Sequence, residues 1–335
     1  MAPRDVNPDH LARAARAALG SRRRLDGVAR LAGGTQKGVY RLTMDDGTTA
    51  IAYLWEDSEN FWPQWPGVGD PADQFTNSDG ADLFAAAHRR LASLGLRVPE
   101  IYLLDRGRAY YPADIAILED FPGEDLLALW ERDPTAAGPV LARLREGLAA
   151  MRSYRAASPG NVGHVDAGGL SYWPTCEEGA LDFALRCLAE AAGRDHRISG
   201  ARERLEDRLR GLAAAVRPRA EYSVVHGELG LDHVLVDSDG NPVIIDIENL
   251  MYFDVEWEHA HMQIRLGDDW AETAGAEGLD EDRLAFYKLT QHLSLTAGPL
   301  RLLDSDFPDR EFAAGIAEYN LNQALKFLDD PPQRS

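Results

Sequence analysis

Cysteine is almost missing: Cys176 and Cys187 are the only two in 335 residues, too few for a disulfide framework and without zinc-finger spacing, which agrees with a reducing compartment. Nor does any window approach eighteen uninterrupted apolar residues, so no membrane span is expected. The amino terminus, MAPRDVNPDHLARAARAALGSRRR, alternates Ala and Leu with Arg where a signal peptide would run apolar, and a soluble, cytoplasmic protein is the expectation. Basic residues are scarce relative to acidic ones, 35 against 55, for a formal net charge of -20. Such a field repels phosphate backbones and anionic lipid, which argues against nucleic acid and membrane partners. An acidic cleft would concentrate cationic small molecules, although solubility or a high-salt habitat explains the charge equally well. Collagenous, low-complexity and disordered compositions are excluded, because 45% apolar residues against 27% charged ones can bury a sizeable core. The length is too great for one core of ordinary size and predicts two lobes.

Along the chain, an amphipathic helix is expected at Pro8–Leu19. VARLA, VYRLTM and TTAIAYLW then read as three strands, separated by GGTQKG and by the turn signal Asp46-Gly47. This is an antiparallel meander with a glycine-rich first turn. Residues 56–80 mix prolines, glycines and aromatics without period, the composition of a functional lid or a disordered excursion; Trp62 and Trp65 there would stack on a substrate or anchor the loop. A helix is expected over residues 81–94, followed by the strands IYLLD and DIAILED. Pro122-Gly123 is the crossover, dividing the chain into residues 1–121 and 122–335. Residues 126–217 are helical in pattern, 222–246 form an island of short strand, and helices return to the carboxyl end. There is no internal repeat.

The island carries the chemistry. VVHGELGLDHVLVDSDGNPVIIDIEN, residues 224–249, contains two β-branched runs flanking the hairpin signal SDGN. A symmetric hairpin centred between Asp239 and Gly240 sets His233 opposite Asp246, close enough to share a metal or a hydrogen bond. Pro242 cannot donate to the ladder, and a bulge there would slip this register. Glu228 stands on HGELG, a glycine-flanked loop free to take unusual backbone angles. Glu228, Asp232, His233, Asp246 and Glu248 around one short hairpin are costly to bury without a cation or ligand; exposure is the bland alternative.

These segments resemble the aminoglycoside phosphotransferase family, whose pattern is H-G-D-x-x-x-x-N followed by a hairpin and I-D-x-x. Here it reads His226-Gly227-Glu228-Leu229-Gly230-Leu231-Asp232-His233, then Ile245-Asp246-Ile247-Glu248. The resemblance implies an α+β, two-lobed protein-kinase-like fold, with a small antiparallel-sheet N-lobe that binds nucleotide and a larger, mainly helical C-lobe. It implies a small-molecule kinase that transfers the γ-phosphoryl group of ATP to a hydroxyl, with Mg2+, or Mn2+ in its place. Glu228 takes the catalytic-base position, and His233, Asp246 and Glu248 the metal positions. LAGGTQKGVYRL looks like the glycine-rich loop over the phosphates, with Gly33, Gly34, Lys37 and Gly38 as its binding residues. ILEDFPGEDL is similar to the hinge, where Glu119, Asp120 and Phe121 would meet the adenine edge. FDVEWEHA looks like a helix start with Asp254 as N-cap. The acceptor expected is a cationic amino sugar or antibiotic.

Three positions depart from the family. Glu228 replaces aspartate, which keeps the charge and adds a methylene. His233 replaces asparagine, although magnesium prefers oxygen ligands. The third strand, TTAIAYLWE, offers Tyr53 or a neighbour where the fold normally has a lysine; Lys37, Arg89 or Arg90 would have to supply that cation, and Lys37 taken alone reads first as a solvated side chain. His226 is read as a buried structural histidine. His259 and His261, with Glu256 and Glu258, would make a metal site only if i, i+2 side chains on a helix did not point apart. Two other function classes stay open: a kinase-like module that binds nucleotide or a metabolite without transfer, and a metallohydrolase using His226, His233 and Asp246 on a softer metal.

Overall fold

In the computed structural model of the protein, residues 6–31, 34–62, 69–75 and 80–329 are described. The first helix, α1 (Pro8–Leu19), begins where the sequence supplies a cap: the Asn7 side chain accepts from the Asp9 amide at 2.9 Å, and Pro8 sits where its missing N–H costs nothing. It buries Leu11, Ala14 and Ala15. Then come β1 (Leu25–Arg30), β2 (Gly38–Met44), β3 (Thr49–Trp55), α2 (Ala81–Ser93), β4 (Ile101–Asp105), β5 (Asp114–Leu118) and α3 (Leu126–Arg132). The five strands make one antiparallel sheet in the order β1-β2-β3-β5-β4. β2 alternates buried and half-buried residues throughout, and this period of two sends Tyr40, Leu42 and Met44 into one cluster with Leu11, Ala14 and Ala15.

The strand expected at VARLA starts earlier, at Leu25. Arg24 and Asp45 close the end of the β1-β2 pair: the Arg24 amide donates to the Asp45 side chain at 3.0 Å and the Asp45 amide to the Arg24 carbonyl at 2.9 Å. A buried ion pair that no motif announces lies beside β2. Arg30 meets Glu59 at 2.7 Å with both side chains at most 3% exposed, and the Tyr40 hydroxyl donates to Glu59 at 2.5 Å. Burial, then the hydrogen bond and charge of Glu59, push the Tyr40 hydroxyl well above its ordinary pKa.

The remaining elements are α4 (Pro134–Ser153), β6 (Gly160–Asn161), α5 (Val162–Asp166), α6 (Cys176–Arg194), α7 (His196–Ala215), β7 (Ser223–Val225), β8 (Val234–Val236), β9 (Pro242–Ile244), β10 (Met251–Phe253), α8 (Val255–Leu266), α9 (Trp270–Ala274), α10 (Glu281–Leu302) and α11 (Arg310–Lys326). The chain forms two compact units. Met1–Trp62, Ser78–Arg143 and Leu231–Glu248 make the first, which holds the five-stranded sheet and the β8-β9 hairpin. Pro63–Asn77, Leu144–Gly230 and Asn249–Ser335 make the second, mainly helical one. There α10 packs against α6, α7, α8 and α11, and β6-β10-β7 form a small sheet. Its aromatic core joins Phe75, Phe183, Phe253, Trp257 and Tyr287, with Phe75 stacked on Phe183 at 4.4 Å.

Among the described residues of 56–80, buried positions stand beside exposed ones such as Asp57, Ser58 and Pro71. Glu59 and Gln74 are buried, and the Tyr172 amide donates to the Ala72 carbonyl at 2.9 Å. Trp62 anchors: its indole N–H donates to the Thr35 hydroxyl at 3.0 Å. Trp65 and Gly33 lie outside the described residues. Asp254 precedes α8 as expected, yet its side chain makes no capping bond. The carboxylate accepts instead from Arg283, Arg219 and the Tyr287 hydroxyl in the buried base of the second unit.

Candidate active site

The hairpin register differs by one residue from the symmetric reading. Val234 pairs with Ile244, Leu235 with Val243 and Val236 with Pro242, so His233 faces Ile245, whose amide donates to the His233 carbonyl at 3.0 Å. The expected pairing of His233 with Asp246 is corrected accordingly. Asp237 sets this register: its side chain accepts from the Asp239 amide at 2.9 Å and the Asn241 amide at 2.8 Å. Arg143 braces the turn by donating to the Asp239 and Gly240 carbonyls at 3.0 and 2.8 Å. The two side chains meet all the same. Asp246 takes a left-handed backbone, φ 58, which swings its carboxylate to 3.8 Å from the His233 ring. Asp is among the few residues that tolerate this region.

The glycine-rich turn closes on itself before β2. The Leu31 amide donates to the Val39 carbonyl at 2.8 Å, and the Phe61 amide to the Thr35 carbonyl at 2.9 Å. A Cβ at Gly34 would collide with the Lys37 carbonyl, and one at Gly38 would stand 2.7 Å from the Tyr40 ring and 2.8 Å from the Glu59 carboxyl. The turn therefore needs glycine at both positions.

Lys37 is not solvated. Its side chain is 9% exposed, and its ammonium lies 2.8 Å from Asp246 and 2.8 Å from Glu248. It also rests over the Tyr53 ring, 4.9 Å from the centroid. Burial alone would depress this ammonium, but the two carboxylates outweigh it and hold its pKa well above the ordinary lysine value. Burial pushes the Glu248 carboxyl upward, with Lys37 pulling against it. Lys37, His233, Asp246 and Glu248 are thus brought together in the first unit. Arg89 is exposed on α2 and is not the cation these carboxylates meet.

The hinge side chains are committed to arginines. Arg97 binds Glu119 at 2.6 Å and lies 5.4 Å from the Phe121 ring, while Arg41 grips Asp120 with two bonds of 2.8 and 3.0 Å. The Glu119 amide donates to the Glu100 carbonyl at 2.9 Å.

The loop bearing Glu228 belongs to the second unit. It leaves β7 through Gly227, whose φ of +96 strains any side chain and where an added Cβ would stand 3.1 Å from the Asn249 carbonyl. One carboxylate fixes the loop: Glu258 accepts from the amides of His226, of Gly227 at 3.1 Å and of Leu229 at 3.0 Å. The Trp257 indole donates to the Gly227 carbonyl at 3.2 Å. His226 is fully buried, as a structural histidine should be, and Glu228 is exposed at the tip. The anchoring role of Glu258 escaped sequence reasoning; its signal was an acidic residue in the first turn of a helix close after the motif. Glu256 is occupied by Arg219 at 2.6 Å, and burial, with Arg152 adding to it, lowers the His259 pKa to about 4.

Among the described residues, no group of three or more His, Cys, Asp or Glu could hold a metal ion by itself. A nucleotide-bound magnesium asks for less: one or two carboxylates, with phosphate oxygens and water completing the octahedron. Asp246 and Glu248 fit that demand, since both already converge at 2.8 Å on a single cation.

The profile of the phosphotransferase enzyme family (APH) matches residues 28–293. No curated protein matches the sequence. Among solved structures, a thermostable mutant of the aminoglycoside phosphotransferase APH(4)-Ia, in ternary complex with ADP and hygromycin B, is 18% identical with a TM-score of 0.59, over 89% of this chain and 94% of that one. Choline kinase LicA from Streptococcus pneumoniae is 14% identical with a TM-score of 0.60, over 96% and 99%. A protein of Thermobifida fusca YX-ER1 assigned as a fructosamine-3-kinase is 20% identical with a TM-score of 0.54, over 93% and 98%. At these identities the likeness is one of fold: a protein-kinase-like architecture with an antiparallel-sheet lobe and a helical lobe.

Proposed function

The chain belongs to the phosphotransferase enzyme family, and from that premise we propose that it is a kinase that transfers the γ-phosphoryl group of ATP to a hydroxyl of a cationic amino sugar or related antibiotic. The observation that carries this reading is the convergence of Asp246 and Glu248 on one cation beside the glycine-rich turn. Residues 1–121 would hold the nucleotide, with Gly33, Gly34 and Gly38 letting backbone approach the phosphates and residues 119–121 meeting the adenine edge. In residues 122–335, Asp246 and Glu248 would hold a divalent ion, with His233 steadying Asp246. When bound, that ion neutralises charge on the phosphate oxygens. Glu228, exposed on a loop held rigid by Glu258, would orient the acceptor hydroxyl and receive its proton. The net charge of -20, and neighbours named for choline, fructosamine and an aminoglycoside, support a cationic acceptor.

A second reading, a nucleotide- or metabolite-binding module without transfer, draws on Tyr53 in place of a third-strand lysine. A thermal-shift titration with ATP and Mg2+ or Mn2+, followed by an ADP-release screen over amino sugars and other hydroxyl acceptors, separates the two. Metal-dependent stabilisation that is lost in Asp246→Asn, with acceptor-dependent ADP release lost in Glu228→Gln, supports the kinase. Stabilisation with no release from wild type over any acceptor leaves the binding module. Absence of any nucleotide effect removes the kinase and the nucleotide-binding form of the second reading.

A further inference from the structure

The chain has three lysines, Lys37, Lys288 and Lys326, and the last two sit on α10 and α11 of the second compact unit. If the nucleotide's phosphates are to meet a lysine of the sheet-bearing unit, only Lys37 is available. Its geometry is that of a lysine moved by one strand. Tyr53 on β3 pairs with Val39 on β2, and Lys37, two residues before Val39, lays its ammonium over the Tyr53 ring at 4.9 Å. The amine thus occupies space above the third strand although its backbone belongs to the turn before the second. The arginines nearby are committed: Arg30 to Glu59, Arg41 to Asp120 and Arg97 to Glu119. An ammonium on a four-carbon stem can leave two carboxylates for phosphate oxygens by rotating its own bonds, which a clamped guanidinium cannot do.

We propose that Lys37 supplies, from the glycine-rich turn, the phosphate-contacting amine that the third strand lacks, with the Tyr53 ring as its platform and Asp246 and Glu248 as its partners before nucleotide arrives. The inference rests on the kinase reading above and deepens it. On this account the departure at Tyr53 is a relocation of the charge, and it no longer counts against nucleotide chemistry.

Protein labelled with 13C in lysine alone gives three side-chain Cε signals, of which Lys288→Arg and Lys326→Arg assign two and so identify the third. ATP with Mg2+ is expected to move the Lys37 signal, while adenosine and Mg2+ alone leave it in place. Lys37→Met is expected to weaken ATP binding about tenfold or more by calorimetry, with adenosine binding unchanged. The inference is overturned if ATP binds and the Lys37 signal stays, if Mg2+ alone reproduces the movement, or if a folded Lys37→Met keeps the wild-type ratio of ATP to adenosine affinity. Should Lys37→Met fail to fold, the wild-type spectra decide. ATP that does not bind wild type at all sinks the kinase reading instead.

Discussion

Glu258 illustrates how one side chain can be worth more than its neighbours. Three amides of the motif loop end on its carboxylate, and all three belong to buried residues. Glu258→Ala strands those donors away from water, and a loss of about 3 kcal/mol or more in urea denaturation is expected. Glu258→Gln keeps an acceptor oxygen and should lose less. Glu228 behaves in the opposite way, because it is exposed. Glu228→Gln should leave the melting temperature unchanged while kcat for phosphoryl transfer falls about 10²- to 10⁴-fold; an equal fall in stability would show that the residue is structural. The sequence made Glu228 conspicuous through its motif, whereas Glu258 was legible only as a carboxylate on a helix, since backbone amides leave no trace in side-chain identities.

At the scale of the element, the β8-β9 hairpin shows why a register cannot be counted from the turn alone. Asp237 and Asn241 tie the turn one position away from symmetry, and the left-handed Asp246 then restores the meeting with His233. Backbone and charge can be separated there. Asp246→Gly should melt above Asp246→Ala, because only the alanine meets a steric cost of about 1–2 kcal/mol at positive φ. Both should lose metal-dependent stabilisation by ATP. Gly227→Ala, at φ +96 with the Asn249 carbonyl 3.1 Å from its Cβ, should cost about 1–3 kcal/mol in the same denaturation assay. The helices, the three-stranded meander and the two later strands were readable because their periods, caps and turn residues are local, whereas the order β1-β2-β3-β5-β4 was not. The buried Arg30–Glu59 pair was not, since its partners are separated by two strands of the sheet.

For the whole molecule, charge and burial set the response to solution conditions. His259 and His292 are held neutral by burial, each with its pKa lowered to about 4. The unfolded chain protonates them near the ordinary value of about 6.5, so between those two pH values it binds more protons than the folded chain. Stability contributed above about pH 6.5 is therefore lost as pH falls toward 4. Urea midpoints across that window should decline, and the decline should be shallower in His259→Asn/His292→Asn. The net charge of -20 adds a repulsion that salt screens, so the melting temperature should rise between about 10 mM and 500 mM NaCl.

The sequence by itself determined the strands, the helices and the loop-and-hairpin motif, because each is written in spacings a few residues long, and the α+β, two-lobed class came from the resemblance those motifs bear to a known family. Only the tertiary structure decided that Lys37 is buried against Asp246 and Glu248, that Glu258 holds the motif loop, and that Asp254 serves a buried arginine in place of a helix end. These are electrostatic pairings across tens to hundreds of residues. Which charge answers which is fixed by burial: a group removed from water must find a partner wherever folding brings one within reach, and no local pattern records the choice.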